Sequence, residues 1–184
     1  MAKEGVFGIK EFAIAEPAAN GAYPTEFPYK FKAIVTGSLT FNDSAASTTD
    51  VEIEDSEDPY AVLVSSAPTK GFTVQTYDMS KDTYEQLWGF QQDAKKWNNE
   101  APTESEIYKA VQIITKDLDD IQSKTFQWSK MKLTVTRSGS IGKSGLPNLN
   151  IEFRQLAVFD SQGVKVSGHR FGNTAEIAQA ASLK

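Results

Sequence analysis

The stretch Tyr29-Lys-Phe-Lys-Ala-Ile-Val-Thr-Gly-Ser-Leu-Thr-Phe-Asn42 alternates between apolar and mostly polar side chains along its whole length. A period of two places alternate side chains on opposite faces of a β-strand. The pattern predicts one strand with a buried face, longer than most strands and suited to an extended hairpin or a barrel wall. With Gly37 completing the series, the predicted buried face comprises Tyr29, Phe31, Ala33, Val35, Leu39 and Phe41.

Shorter runs of the same kind predict four more strands, separated by turns that contain glycine, proline or serine. Residues 42–58, which end in the acidic stretch 51–58, are predicted to form an extended loop. Within it, the alternation of Val51 and Ile53 with glutamates predicts that part of the loop pairs as a returning strand. The four predicted strands cover residues 60–65, 72–77, 130–136 and 149–154.

One helix is predicted over about residues 82–90. Asp82 is a suitable N-cap, because Glu85 follows it three residues later. Residues 103–121 carry two conflicting patterns. Their apolar residues recur at helical spacing, whereas β-branched residues such as Val111 and Ile113 favour a strand.

Composition limits the chemistry that the chain can perform. Its 184 residues fit one domain of ordinary size, and a hydrophobic fraction of 40% is typical of folded globular proteins. The absence of cysteine excludes a thiolate nucleophile, and a single histidine, His169, excludes a site built from several histidines. We therefore expect no cofactor, no metal site, no catalytic residue and no enzymatic activity. His169 is interpreted as a polar residue near a strand end.

Two motifs that suggest ligand binding lack the residues that such binding needs. Gly142-Lys143-Ser144 resembles the end of a phosphate-binding loop, but Arg137 stands where that loop requires glycine. The acidic residues 52–58 lack the spacing of a calcium-binding loop. A glycosidase with two paired carboxylates stays an open alternative, because the sequence selects no pair.

The charge and the hydropathy of the chain bear on its partners. A net charge of −5 argues against a protein that grips nucleic acid, since such affinity comes largely from lysine and arginine. No apolar run approaches the roughly 20 residues of a membrane helix. The first five residues lack the apolar core of a signal peptide. We expect a protein that is made in the cytoplasm and has no membrane partner, and the net charge is compatible with a protein past which DNA slides.

The order of the segments resembles that of the major tail tube proteins of long-tailed phages, over roughly residues 30–160. The likeness rests on order and pattern, not on an invariant motif. The inner tubes of contractile tails and of type VI-like injection systems share the fold and stay an alternative. The resemblance is carried by the 29–42 ribbon with its loop, Lys70-Gly-Phe-Thr-Val74, the helix ending Leu87-Trp-Gly89, Glu106-Ile-Tyr-Lys-Ala-Val-Gln-Ile-Ile-Thr115, Lys132–Thr136 and Asn150–Arg154.

The resemblance implies a mainly β fold, a β-sandwich or partial barrel of antiparallel strands with one flanking α-helix. It makes residues 107–115 a strand. Residues 1–28 would form an N-terminal arm and first strand, residues 29–171 the β-rich tube domain, and residues 172–184 a C-terminal tail. That tail is rich in alanine, and both a short helix and a flexible end are open for it.

The resemblance also implies a function. Six subunits would close into a ring whose strands join in one barrel around a lumen, and the rings would stack into a tube that passes DNA. The open edges of a long strand favour such pairing between chains, and barrel closure removes them. The expected location is the virion tail, assembled in the host cytoplasm. The expected partners are further copies of the chain, tape-measure, tail-terminator and baseplate proteins, and DNA as non-specific cargo.

Two groups of residues are candidates for these roles, and one other class of function stays open. The alternative is a monomeric β-sandwich binding module for carbohydrate or protein, although Trp128 is interpreted as core or interface. Contacts between subunits and rings are expected at Asn42, Asp43, Asp50, Glu52, Glu54 and Asp55. The lumen is expected to be lined by Lys132, Thr134, Asn150, Glu152 and Arg154.

Overall fold

The computed structural model describes residues 5–55, 57–88, 106–143 and 145–182. Its strands pair antiparallel, so the predicted mainly β fold with a flanking helix is confirmed. Within these ranges, no helix combines the length and the apolar character that crossing a membrane requires. The strands are β1 (Ile9–Ala15), β2 (Tyr29–Lys30), β3 (Thr40–Phe41), β4 (Ser47–Val51), β5 (Ala61–Ser66), β6 (Gly71–Thr76), β7 (Ile107–Thr115), β8 (Lys124–Ser138), β9 (Asn148–Gln155), β10 (Val158–Phe159), β11 (Lys165–Val166) and β12 (His169–Asn173), and the helices are α1 (Lys81–Trp88) and α2 (Thr174–Ser182).

Eight of these strands form one sheet in the order β2-β1-β7-β8-β9-β6-β3, with β12 also paired to β8. The long strand β8 organises the sheet, because its first half lies between β7 and β12 and its second half between β7 and β9. Strands β4–β5 and β10–β11 form two small separate sheets. The first strand expected within residues 1–28 is β1, and it is an inner strand of the large sheet.

The large sheet is strongly curled around its apolar face. In a flat sheet, three strand spacings of about 4.8 Å would hold β1 and β9 roughly 14 Å apart. The rings of Phe12 in β1 and Phe153 in β9 are nevertheless only 5.5 Å apart between centroids. Phe72 in β6 stacks on Phe153 at 4.8 Å, and Leu87 of α1 packs into the same cluster. The core therefore fills the concave side of one curled sheet, and α1 contributes to it from one side.

The single long strand predicted over Tyr29–Asn42 is wrong. Only its ends are strands, β2 and β3, and the backbone between them takes φ angles of 49° at Ala33 and 72° at Gly37. These left-handed conformations turn the chain and end the extended pattern. The alternation arises because the segment packs several apolar side chains, among them Phe31 and Leu39, onto the core.

The 29–42 segment also uses its hydrogen bonds within its own chain. The Phe31 amide donates to the Phe12 carbonyl of β1 at 2.9 Å, and the Val35 amide donates to the Gln75 carbonyl of β6 at 2.9 Å. The segment therefore bridges the two sides of the curled sheet. In place of the long open strand edge that the sequence predicts, the segment contributes two short strands, β2 and β3, at the two edges of the large sheet.

The other predicted strands are confirmed, as β5, β6, β8 and β9. Residues 107–115 form the strand β7, as the resemblance implied and against the helical spacing. A β-bulge between Lys109 and Val111 explains the misleading pattern. Ala110 packs with Phe27 on one face of the sheet, whereas Val111 joins the main core on the other, so apolar residues do not alternate there.

Helix α1 begins at Lys81, and the predicted N-cap is wrong by two residues. Ser80 is the residue that caps it, since its Oγ accepts a hydrogen bond from the Thr83 amide at 3.4 Å. Asp82 instead lies in the first turn, where its negative charge interacts favourably with the positive end of the helix dipole. The predicted continuation to residue 90 lies outside the described residues. The tail forms the short helix α2 directly after β12.

His169 is the first residue of β12, as predicted for a strand end, and it stacks on a core tryptophan. Its ring lies 4.8 Å from that of Trp128 in β8. The Nε2 atom is buried and has no hydrogen-bond partner among the described residues. Burial lowers the pKa of His169 below its ordinary 6.5, and Lys70 adds to this effect while Asp43 opposes it.

This lowered pKa predicts a pH dependence of stability. As the pH falls through about 6.5, the unfolded chain protonates His169 before the folded chain does, so the free energy of unfolding decreases until the pH passes below the lowered pKa. Urea titrations at about pH 7.5 and about pH 5.5 measure the decrease. The variant His169→Phe keeps a ring against Trp128 and should lose less stability over this interval. Equal losses in both proteins would contradict the assignment.

Gly71 occupies a position where β6 and β9 approach too closely for a side chain. A Cβ atom at this residue would lie 2.3 Å from the carbonyl oxygen of Phe153. We expect Gly71→Ala to lower the free energy of unfolding by about 1–3 kcal/mol, because the strands must separate to admit it. Gly142→Ala is the control, since nothing lies within 4 Å of its Cβ position. Urea denaturation of both variants checks the difference, and an unchanged stability of Gly71→Ala would disprove the close approach.

Candidate functional site

The side chains of β6, β8 and β9 that point away from the core form one polar face. Lys132 is opposite Arg154, and Thr134 is opposite Glu152, in the antiparallel pairing of β8 with β9. Thr136 and Asn150 form the next pair. The structure thus brings the five predicted lumen residues together on one surface. We call this surface the polar face and define it by Thr73, Gln75, Lys132, Thr134, Thr136, Asn150, Glu152 and Arg154.

The polar face exists because strands have a period of two. Met131 and Leu133 alternate with its β8 residues and are buried, and Ile151 and Phe153 alternate with its β9 residues and are fully buried. The core therefore fixes which side chains point outward. A shift by one residue would move the whole apolar set to solvent, so the position of the polar face is strongly determined.

The charges of the polar face and its border largely balance one another. The Nζ of Lys132 lies 2.7 Å from Oε1 of Glu106, which precedes β7, and Tyr108 donates its hydroxyl to the same carboxylate. The hydrogen bond from Lys132 holds the pKa of Glu106 below its usual value, and the same bond raises the pKa of Lys132. Glu152 is the second carboxylate beside Arg154. The face and its border thus hold these two carboxylates against three cations, Lys132, Arg154 and Lys130, whose Nζ lies 4.8 Å from the Tyr108 ring centroid, so most of the positive charge is offset.

Strands β4 and β5 form a hairpin that stands apart from the large sheet. At its base, the Gly71 amide donates to Asp43 Oδ1 at 3.2 Å, and the Ser44 amide donates to the Thr69 carbonyl at 2.9 Å. We call residues 43–69 the acidic hairpin, because they contain seven carboxylates and no lysine or arginine. The loop predicted over residues 42–58 is therefore wrong in part, since β4 lies in the middle of it and the returning strand is β5.

The predicted contact residues are spread along this hairpin. Asn42 and Asp43 lie at its base, and the Asn42 amide donates to the Gly71 carbonyl at 2.8 Å. Asp50 is in β4, opposite Val62 of β5. Glu52, Glu54 and Asp55 follow β4 toward the tip, and all six predicted residues are exposed.

Sequence reasoning missed the apolar side chains of β5. Val62, Leu63 and Val64 are 57%, 57% and 67% exposed, and Tyr60 just before the strand is 74% exposed. Apolar side chains on both faces of an exposed two-stranded ribbon indicate a surface that another protein covers. The signal was present in the sequence as three consecutive apolar residues, a run that does not alternate.

Three observations on the described residues bear on the alternatives of an enzyme and of a carbohydrate-binding module. Among these residues, no three histidine, aspartate or glutamate residues are grouped closely enough to hold a metal ion. Burial alone would raise the pKa of Asp78, but hydrogen bonds from Ser80 leave it lowered, which does not suit a general acid. Trp128 is only 5% exposed, so it belongs to the core and provides no stacking platform.

Comparison with known proteins returned no relative. No protein-family model matches the sequence, and no curated protein sequence matches it either.

Proposed function

We propose that the chain is a structural subunit that assembles into stacked hexameric rings, and that these form a phage tail tube through which DNA passes. The observation that carries the proposal is the polar face, a broad and charge-balanced sheet surface directly opposite a tightly packed core. Such a surface is suited to line a water-filled lumen. The protein would then act in the virion tail, with tape-measure, tail-terminator and baseplate proteins as neighbours, and it would perform no catalysis.

The charge balance of the polar face fits the passage of DNA. A lining rich in lysine and arginine would release counterions at each phosphate contact and would retain the DNA. Lys132 is instead paired with Glu106, and Arg154 follows Glu152 by two residues on the same face of β9. A lining whose positive charge is mostly offset adds little affinity, so the nucleic acid can slide.

The acidic hairpin supports self-assembly by another route than the one suggested by the sequence. Strands β2 and β3 of the 29–42 segment are short and lie at the two edges of the large sheet, and the chain between them turns, so the segment does not offer one long continuous edge to a neighbouring subunit. The hairpin, in contrast, projects exposed apolar side chains and exposes the outer edges of β4 and β5. Contacts between subunits would therefore be made mainly through this projecting element.

Two alternative functions are supported by part of the same evidence. An inner tube of a contractile injection system would use the same subunit fold and the same lumen, and the surrounding sheath would distinguish it. A monomeric binding module would need an accessible aromatic platform. Trp128 is buried, Tyr60 lies on the projecting hairpin, and no observation selects the other exposed aromatic residues, among them Phe7 and Phe41, as such a platform.

Size-exclusion chromatography followed by negative-stain electron microscopy tests the proposal. We expect rings or tubes with six-fold symmetry and a central channel at high protein concentration. A strict monomer over the whole accessible concentration range would overturn the proposal. The variant Val35→Glu places a charge on the half-buried bridging segment and should abolish folding or assembly, which circular dichroism and microscopy distinguish.

A further inference from the structure

One end of the curled sheet opens into an apolar groove with a volume of about 710 Å³. Its wall contains core side chains that are reached from outside, and Phe7 and Phe41 at its border are 48% and 50% exposed. Only three charged side chains line it. Glu11 is paired with Lys30 at 2.7 Å, which leaves the exposed Lys10 and Lys116 as the charges without a partner among the described residues. We call this cavity the end groove and define its wall by Ile9, Phe12, Phe31, Leu39, Ile113 and Phe126.

The acidic hairpin has the complementary properties. It carries a net charge of −7, and since the whole chain carries −5, the remaining residues carry +2. Two hairpins therefore repel each other, whereas a hairpin is attracted to the rest of a second molecule. Its strand residues are almost all exposed, so it does not occupy the end groove of its own chain.

The two faces of the hairpin differ. Val62 and Val64 point to one side together with Asp50, whereas Leu63 points to the other with Thr49, Val51 and Ala61. Both faces carry apolar side chains, and the carboxylate of β4 lies on the first face only. The first face therefore offers two adjacent apolar side chains with a carboxylate beside them. That arrangement matches an apolar groove that has a free ammonium group at its border.

We propose that the Val62–Val64 face of the acidic hairpin docks into the end groove of a second copy of this chain, with Asp50 close to Lys10 or Lys116 of that copy. This inference rests on the proposed function, and it names the surface that receives the hairpin. Donor and acceptor are different surfaces, so the contact is head-to-tail. It leaves a free hairpin at one end of the assembly and a free groove at the other, and further copies add in the same direction.

Cross-linking tests the docking directly, because the natural chain contains no cysteine. A Val64→Cys protein is mixed with a Val35→Cys protein, whose new thiol lies in the lining of the groove. Under mild oxidation, we expect covalent heterodimers to form at least about tenfold faster than in the control mixture, in which Leu63→Cys replaces Val64→Cys. The tenfold ratio corresponds to a preference of about 1.4 kcal/mol for one face. Equal rates in the two mixtures would overturn the proposal.

A second experiment introduces negative charges on the same two faces of the hairpin and measures the strength of association. We expect Val62→Asp with Val64→Asp to weaken association on the order of a hundredfold, whereas Leu63→Asp should weaken it far less. Tubes without the specific cross-link would refute the docking while the tube function stands. The specific cross-link without rings or tubes would support the docking and overturn the tube function. Absence of both would overturn both.

Discussion

Replacing Phe72 by alanine should lower the free energy of unfolding by about 3–5 kcal/mol, the range for a large aromatic side chain removed from a core. Phe72 has no exposed surface, and its ring lies 4.8 Å from Phe153, 5.0 Å from Trp128 and 6.1 Å from Phe12. These partners come from β9, β8 and β1, so one side chain links strands on opposite sides of the curled sheet. The cavity left by alanine cannot be filled without moving several strands, which places the expected loss toward the upper end of the range.

Urea denaturation followed by tryptophan fluorescence measures this loss, because Trp128 is in contact with the site. Phe159→Ala is the matched control, since that phenylalanine is 51% exposed in the short strand β10. Its removal should change the stability by less than about 1 kcal/mol. If Phe72→Ala were no more harmful than Phe159→Ala, β1 and β6 would not share a core, and the curled arrangement of the sheet would be disproved.

Of the strands that the sequence predicts correctly, β6, β9 and the second half of β8 have one covered face and one solvent face. In β8 and β9, Met131, Leu133, Ile151 and Phe153 are buried, and the residues between them are polar. Burial on a single face makes apolar and polar residues alternate with a period of two, and this alternation can be recognised from the sequence alone. The polar face was predictable for the same reason, because fixing the buried set also fixes the outward set.

The 29–42 segment shows where this reasoning fails. Its apolar residues alternate as clearly as those of β8, yet they reach the core from a turning chain that bridges β1 and β6. The positive φ angle of Ala33 carries no signature in the sequence, since alanine rarely adopts it. The conformation of such a segment depends on residues that are distant in the sequence and pair with it. A local sequence pattern contains no information about those partners.

The charge of the acidic hairpin is evident from the sequence, whereas the exposure of its apolar residues is not. Asp50 and Glu52 belong to a cluster of acidic residues that is evident in the sequence. The exposure of Val62 and Val64 becomes visible only once β4 and β5 are known to lie apart from the large sheet. An apolar run in a sequence is normally assigned to the core, so exposure of that run requires a structure to detect.

If the polar face lines the lumen of a DNA-passing tube as proposed, making it strongly positive should turn an assembly that releases DNA into one that retains it. Glu152→Lys combined with Thr134→Lys makes the face more positive by three charges in each subunit, next to the existing Lys132 and Arg154. In a ring of six subunits the added cations surround the channel. A site with roughly six to ten phosphate contacts changes its affinity by about 10³–10⁵-fold between 50 and 200 mM salt. We expect tight binding of short duplex DNA at the lower salt concentration and little binding at the higher one.

Fluorescence anisotropy of a labelled duplex measures this binding, with electron microscopy to show that the variant assembles as the wild type does. The control is Glu85→Lys combined with Asp82→Asn, which adds the same charge on helix α1, at the core side of the sheet. If the polar face lines the lumen, the control should bind DNA much more weakly than the polar-face variant, although both carry the same net charge. Equal binding by the two variants would mean that net charge alone attracts the DNA. The polar face would then have no special access to the nucleic acid, and its assignment to the lumen would fail.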